Sequence, residues 1–156
     1  MRSIYLFDWG DSLMVDYPQY SGKMYDWPEV STVVGAQEVL SFLAQRHKLY
    51  VATNAAESTE QDIRNAFMRA DLAQYISGYF CKATLGLGKG SPEFYLRIAS
   101  TLAVKPTQLI MVGDSLDKDI LPAIAAGLTA VWFKRGRDAS DHDNSYRIIR
   151  DLRQLC

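Results

Sequence analysis

Short apolar runs alternate along this chain with stretches whose apolar residues recur every three or four positions, the periods of buried strands and of packed helices. The first run, Ser3 to Phe7, ends abruptly at Asp8. Val39, Leu40 and Leu43, with Phe42 nearby, predict a helix over Ala36 to Gln45, with His47 at its carboxyl end, where a cation suits the helix dipole. Lys48 to Ala52 reads as a second strand and is followed by Thr53-Asn54. A helix is predicted over Glu57 to Ala70, capped by Ser58 or Thr59, and a third strand over Tyr75 to Cys81. Gly86, Gly88 and Gly90, broken by Lys89, form a flexible turn. Ser91-Pro92-Glu93 then opens a helix to about Leu102, with Pro at the first helical position. Gln108 to Val112 is a fourth strand leading into Gly113-Asp114-Ser115, and Leu116 to Ala126 a helix closed by Gly127. Thr129 to Phe133 is a fifth strand. Asp143 to Leu155 reads as a last helix with Tyr146, Ile149 and Leu152 on one face.

No period is sustained between Asp8 and Val34. Pro18, Gly22 and Pro28 interrupt it, with Tyr17, Tyr20, Tyr25 and Trp27 interleaved, so residues 13–34 read as an irregular loop or short hairpin near the first strand's carboxyl end. Such loops serve function or are packed down by their own aromatics, and both readings stay open here.

Strands alternating with helices imply an α/β fold: a three-layer, Rossmann-like, doubly wound, mostly parallel sheet of about five strands. One domain over residues 1–156 is expected, since the length suits a single core. In such sheets ligands bind beyond the carboxyl ends of the strands. Asp8, Thr53 and Asp114 each sit at such an end, and Lys89 lies in a loop that opens a helix. The topology would therefore gather two carboxylates, a hydroxyl and an ammonium.

Composition narrows the partners. The net charge of -1 leaves no excess of basic groups to neutralise nucleic-acid phosphates. The basic cluster Lys134, Arg135 and Arg137 runs straight into Asp138, Asp141 and Asp143 and reads as a solvated face. Two cysteines, Cys81 and Cys156, make no disulfide framework and suggest a reducing compartment. No signal-peptide pattern precedes the first strand and no apolar run is long enough to span a bilayer. A cytoplasmic protein is expected, with no membrane or nucleic-acid partner. Oligomeric state is not encoded in any of these features.

Two carboxylates on adjacent strand ends make a hard-oxygen site suited to Mg²⁺. A nearby hydroxyl and Lys add a donor and a positive charge for an anionic group. A carboxylate nucleophile, a cation and a lysine are what phosphoryl transfer requires. The motifs that carry these groups resemble those of the haloacid dehalogenase superfamily of phosphatases and related hydrolases, over roughly Ile4 to Gly136. They are Phe7-Asp8-Trp9-Gly10-Asp11-Ser12-Leu13, Val51-Ala52-Thr53-Asn54, Gly88-Lys89-Gly90-Ser91-Pro92-Glu93, and Met111-Val112-Gly113-Asp114-Ser115 with Asp119. The resemblance implies that Asp8 becomes an aspartyl phosphate and also binds Mg²⁺, together with the Gly10 carbonyl, Asp114 and Asp119. It implies that Thr53, with Asn54 and Ser115, holds the phosphoryl group, while Lys89 steadies nucleophile and phosphoryl charge.

One position departs from that pattern. The family's phosphatases carry an Asp two residues after the nucleophile, which protonates the leaving oxygen and then activates water. Gly10 stands there, a loss on the order of 10²–10⁴ in rate for a poor leaving group. Asp11 is the sequence's candidate substitute. Neither usual insertion site has room for a cap domain, so the resemblance implies an open site and a large or macromolecular phosphorylated substrate. The alternative is an impaired member of the fold that binds a phosphorylated ligand or a protein partner. Gly-Asp-Ser-Leu, at Gly10 to Leu13 and again at Gly113 to Leu116, is also a serine-esterase signature, with Ser12 or Ser115 as nucleophile. That chemistry needs a His base, and neither His47 nor His142 has the expected Asp three residues before it. A phosphate-binding loop over Ala83 to Gly90 lacks both its first Gly and its final hydroxyl.

Overall fold

The fold is seen in a computed structural model whose described residues are 3–16, 19–20, 23–54, 59–134 and 145–156. Its six strands are β1 (Ile4–Phe7), β2 (Leu49–Ala52), β3 (Gly78–Phe80), β4 (Leu109–Gly113), β5 (Thr129–Phe133) and β6 (Arg147–Ile149). They form one sheet in the order β3-β2-β1-β4-β5-β6, and every neighbouring pair is parallel. The strand order reverses between β1 and β4, whose register pairs Phe7 with Val112. A crevice at such a switch point is where doubly wound sheets hold their ligands.

Two cores flank the sheet because successive strand side chains face opposite ways. Phe7, Val51 and Val112 face the layer of α1 (Ala36–Leu43) and α2 (Glu60–Arg69). Leu6, Ala52 and Met111 face the opposite layer, which holds α4 (Pro92–Leu102) and α5 (Leu121–Ala125). The helices carry the expected punctuation. Thr59 caps α2 in a reciprocal capping box with Asp62, while the other candidate cap, Ser58, lies outside the described residues. Pro92 occupies the first turn of α4, although the Ser91 side chain makes no cap hydrogen bond.

The loop after β1 is pinned at its base by a bridge between Met14 and Thr32, with Val15 N donating to Ser31 O at 2.8 Å. Its far end rests on α2. Arg69 donates to the Tyr25 and Trp27 carbonyls, and Lys23 pairs with Asp62 at 2.7 Å. Met24 and Trp27 are buried, so the aromatics of this loop serve packing, whereas Tyr17 lies outside the described residues. Among the described residues, neither this connection nor the one between β2 and β3 carries a further folded unit that could act as a cap.

Three segments differ from the sequence expectation. The helix expected over 143–155 is instead strand β6 followed by a 3-10 turn at Leu152–Leu155, making six strands rather than five. Ile148 and Ile149 are β-branched and suit a pleated edge, and Lys134 N donates to Ile149 O at 2.9 Å. The Tyr146, Ile149, Leu152 spacing that mimics a helix face arises because Tyr146 packs on Trp132 while Ile149 and Leu152 enter the core. Lys82–Leu85 forms a one-turn helix, α3, and β3 is shorter than expected, with a 3-10 turn at Ala73–Tyr75 before it. The helix expected over 116–126 begins instead as a π turn, Leu116–Ile120, and only then becomes α5. Pro122 explains the break, since it has no N–H to give the Lys118 carbonyl. The Tyr95 hydroxyl donates to that carbonyl instead, at 2.9 Å.

Docking of β6 is testable. Ile149 is 1% exposed, so Ile149→Ala should lower the unfolding free energy by about 2–5 kcal/mol in urea titration. A change under about 0.5 kcal/mol would place Ile149 on the surface.

Candidate active site

Each strand on either side of the switch point delivers a carboxylate. Asp8 follows β1, and its N–H donates to the Val112 carbonyl of β4 at 2.9 Å. Asp114 follows β4, and its carbonyl accepts the Trp132 indole N–H at 3.1 Å. The π turn aims Asp119 back toward the sheet, where its Oδ2 accepts the Ser115 N–H at 3.0 Å. Gly113 is required for that approach, because a Cβ there would collide with the Asp119 carboxylate. One ligand atom from each of Asp8, Asp114 and Asp119 lies within 4.8 Å of the others.

Lys89 enters this acidic group from the loop before α4 and is 3% exposed. Its ammonium donates to Asp8 Oδ1 at 2.7 Å, to Asp119 Oδ1 at 2.5 Å and to the Ala52 carbonyl at 3.1 Å, so all three protons have partners. Asn54 holds the loop that carries it, its Oδ1 accepting the Lys89 backbone N–H at 2.9 Å. Gly88 permits that contact, since a Cβ there would strike the Asn54 side-chain oxygen. Thr53 is buried at the end of β2, its N–H donating to the Phe80 carbonyl.

The description "haloacid dehalogenase-like hydrolase" fits residues 11–127 of the 156 as a family match. The chain belongs to the haloacid dehalogenase-like hydrolase family. Its relatives include a phosphoserine phosphatase of Thermus thermophilus, 30% identical over 120 residues, covering 76% of this chain and 48% of the relative. Another is a glyceraldehyde 3-phosphate phosphatase of Pyrococcus furiosus, 32% identical over 93 residues, covering 56% of this chain and 38% of the relative. The chain thus spans about half the length, or less, of these curated relatives. The fold recurs in a HAD phosphatase from Thermococcus onnurineus (TM-score 0.78, 21% identity), with 98% of this chain and 95% of that one covered. It recurs again in an uncharacterized protein from Listeria monocytogenes (TM-score 0.84, 20% identity), with 98% and 94% covered.

Electrostatics in this haloacid dehalogenase-like site follow from one cation among three carboxylates. Burial pushes Asp8 up, but Lys89, with hydrogen bonds involving Asp114, Lys89 and the Trp9 backbone, holds its carboxyl below the usual range. Burial pulls Lys89 down, and Asp8 and Asp119 more than reverse it, so the ammonium stays charged. Asp114 is pushed up to about 7 by burial, by its hydrogen bond with Asp8 and by the charges of Asp8 and Asp119. Asp119 is pushed up to about 6 by burial and Asp8, against the opposing pull of Lys89. The site thus carries more negative charge than its own lysine neutralises. Three hard carboxylates around one point fit a small divalent cation such as Mg²⁺ in both donor chemistry and charge.

Other candidates fall into different places. Ser12 is fully buried and donates to Asp8 Oδ2 at 3.4 Å. Ser115 Oγ accepts the Lys118 N–H and so caps the π turn. The esterase reading finds no base among the described residues. Among the described residues the histidine is His47, bonded to the Ser3 carbonyl at the opposite end of β1, while His142 lies outside them. Asp11 adopts φ 60, and its Oδ1 accepts the Asp16 backbone N–H at 3.1 Å. Gly10 is outside the left-handed region, and a Cβ there would meet Asp16 at ordinary contact distance. Burial and Asp11 push the Asp16 carboxyl up. Trp132, Tyr95 and Asp16 carry no motif, and the strand-end rule that singled out the other groups does not reach them.

These shifts give the metal-free protein a characteristic pH response. Raised carboxyl pKa values favour the folded state while the groups are protonated, and that contribution is lost as pH rises through about 6 and 7. Asp8, shifted down, contributes above its ordinary value and loses that contribution only in more acid solution. Melting temperature in EDTA should therefore fall between about pH 5 and pH 8, and Asp114→Asn should flatten the decline. A melting temperature that rises over this interval contradicts the assignment.

Proposed function

We propose that this protein is a Mg²⁺-dependent phosphatase that works through an aspartyl-phosphate intermediate on Asp8. The observation that carries the reading is the buried Lys89 ammonium joining Asp8 to Asp119, with Asp114 completing a cluster whose oxygens lie within 4.8 Å. The phosphatase names of the relatives support the reaction class.

In this mechanism Asp8 is the nucleophile, kept ionised by Lys89 and aimed by its hydrogen bond to β4. One Asp8 oxygen faces Lys89 and the other Ser12, so the carboxylate's rotation is fixed before substrate arrives. Lys89 balances charge on the nucleophile and on the phosphoryl oxygens as it transfers, and Thr53 offers a hydroxyl to the same group. Asp8, Asp114 and Asp119, with the Gly10 carbonyl, are the groups that would hold Mg²⁺. The ion would screen the phosphoryl charge and the mutual repulsion of the carboxylates. In this reading Asn54 and Gly88, which set the position of Lys89, and Ser115, which sets that of Asp119, serve alignment of the site, beside the phosphoryl contacts expected of Asn54 and Ser115.

No cap covers the strand ends among the described residues, which supports large or macromolecular phosphorylated substrates. No helix of the described residues is long and apolar enough to cross a membrane. The sequence carries two cysteines, Cys81 and Cys156, too few for a disulfide framework, which supports a reducing, cytoplasmic setting. A second reading, a binding protein with impaired catalysis, draws on Gly10 alone.

Phosphate release from nitrophenyl phosphate with Mg²⁺ separates the two. Turnover that vanishes in EDTA and falls at least 10³-fold in Asp8→Asn is expected. Asp114→Asn should weaken Mg²⁺ binding in calorimetry by tenfold or more. Equal Mg²⁺ affinity in both proteins contradicts the metal assignment, and phosphate release unaffected by Asp8→Asn contradicts the nucleophile.

A further inference from the structure

We propose that Asp16 is the proton-transfer residue of this site, supplying from the following loop the carboxyl that Gly10 does not carry; the assignment rests on the phosphatase reading above. The first support is where Gly10 points. A Cβ built on Gly10 would lie 3.7 Å from Asp16 Cβ and 4.0 Å from both its Cγ and Oδ2. The Asp16 carboxylate therefore borders the space that a side chain at position 10 would enter.

The second support is the turn that brings Asp16 there. Leu13 N and Met14 N both donate to the Trp9 carbonyl, and Asp11 N donates to the Met14 carbonyl. The chain thereby doubles back, forms a bridge between Gly10 and Met14, and leaves alongside Ser31 and Thr32 through the Val15 N–H and the Met14 bridge. The six-residue step from Gly10 to Asp16 is thereby closed into one tight loop that leaves directly from Asp8 in the chain.

The third support is Asp11, the carboxylate nearer in sequence. It sits in the left-handed region at φ 60, and its Oδ1 is turned onto the Asp16 N–H. That hydrogen bond orients Asp16 and makes Asp11 a positioning residue. Asp16 itself is exposed, so a large leaving group can reach it.

The chemistry balances in two steps. An Asp8 oxygen attacks phosphorus, the bond from phosphorus to the leaving oxygen breaks, and the proton of the Asp16 carboxyl passes to that oxygen, giving the free alcohol. A water oxygen then attacks the aspartyl phosphate and gives one proton to the Asp16 carboxylate. The bond from phosphorus to Asp8 breaks, releasing inorganic phosphate and restoring both groups.

The test compares kcat/KM for glycerol phosphate and nitrophenyl phosphate with Mg²⁺, because only the alkyl ester needs a proton on its departing oxygen. Asp16→Asn should lose about 100-fold on glycerol phosphate and less than about threefold on nitrophenyl phosphate. Gly10→Asp added to Asp16→Asn should restore the alkyl ester, since Gly10 has room for a side chain. Wild-type enzyme alone provides a second readout: kcat/KM across substituted phenyl phosphates should depend only weakly on leaving-group basicity. Equal loss on both esters, no loss on either, a steep wild-type dependence, or a selective alkyl loss in Asp11→Asn without one in Asp16→Asn overturns the assignment. Those results leave the phosphatase reading standing, whereas a wild-type protein that releases no phosphate from nitrophenyl phosphate overturns both.

Discussion

The buried ammonium of Lys89 is the constraint on which the rest of the site depends. An isolated lysine is not stable at 3% exposure, because losing its hydration costs several kcal/mol. Asp8 and Asp119 offset that cost only when both carboxylates and the Ala52 carbonyl are within hydrogen-bond reach. The requirement propagates outward. Gly88 and Gly113 must lack side chains so that Asn54 and Asp119 can come close. Asn54 must hold the Lys89 backbone, and Ser115 must hold the second oxygen of Asp119. Burial, reinforced by the excess of three carboxylates over one ammonium, pushes Asp114 and Asp119 toward neutrality, while Lys89 keeps Asp8 ionised against its own burial. A divalent cation held by the three carboxylates would offset the same imbalance.

The sheet makes this convergence possible from residues far apart in the chain. β1 and β4 lie side by side at the reversal of strand order, so Asp8 and Asp114 emerge as neighbours. β2 on the other flank brings the Ala52 carbonyl and Thr53. Pro122 interrupts the helix ladder, and the wider π turn before it directs Asp119 inward over Gly113. π turns of this kind are frequent at functional sites. Tyr95 takes up the Lys118 carbonyl that the proline leaves without its helical partner.

Much of this is legible in the amino-acid sequence. An apolar run that stops at an acid marks a strand delivering a carboxylate, and that rule alone finds Asp8 and Asp114. Lys89 stands out because it interrupts three glycines. Asp119 was accessible only through the resemblance of its motif, since helical spacing places it on an ordinary helix and gives no sign of the π turn. β6 mimics a helix because Tyr146, Ile149 and Leu152 are three apart, although Tyr146 packs on Trp132 while Ile149 and Leu152 enter the core from the strand and the turn after it. Position 10 is the instructive case. A sequence shows that Gly10 has no carboxyl, and proximity along the chain nominates Asp11. Only the turn at Trp9 to Met14 shows that Asp11 faces a backbone amide and that Asp16 returns beside Gly10.

The group that takes the phosphoryl decides the chemistry of this site. Turning over a reactive phosphate such as acetyl phosphate, quenching in acid and reducing with borohydride converts an aspartyl phosphate to homoserine, which peptide mass spectrometry locates. Homoserine at position 8, dependent on substrate and Mg²⁺ and absent from Lys89→Met, is the predicted result. Turnover with an unmodified Asp8, or with the label on Ser12 or Ser115, would contradict it.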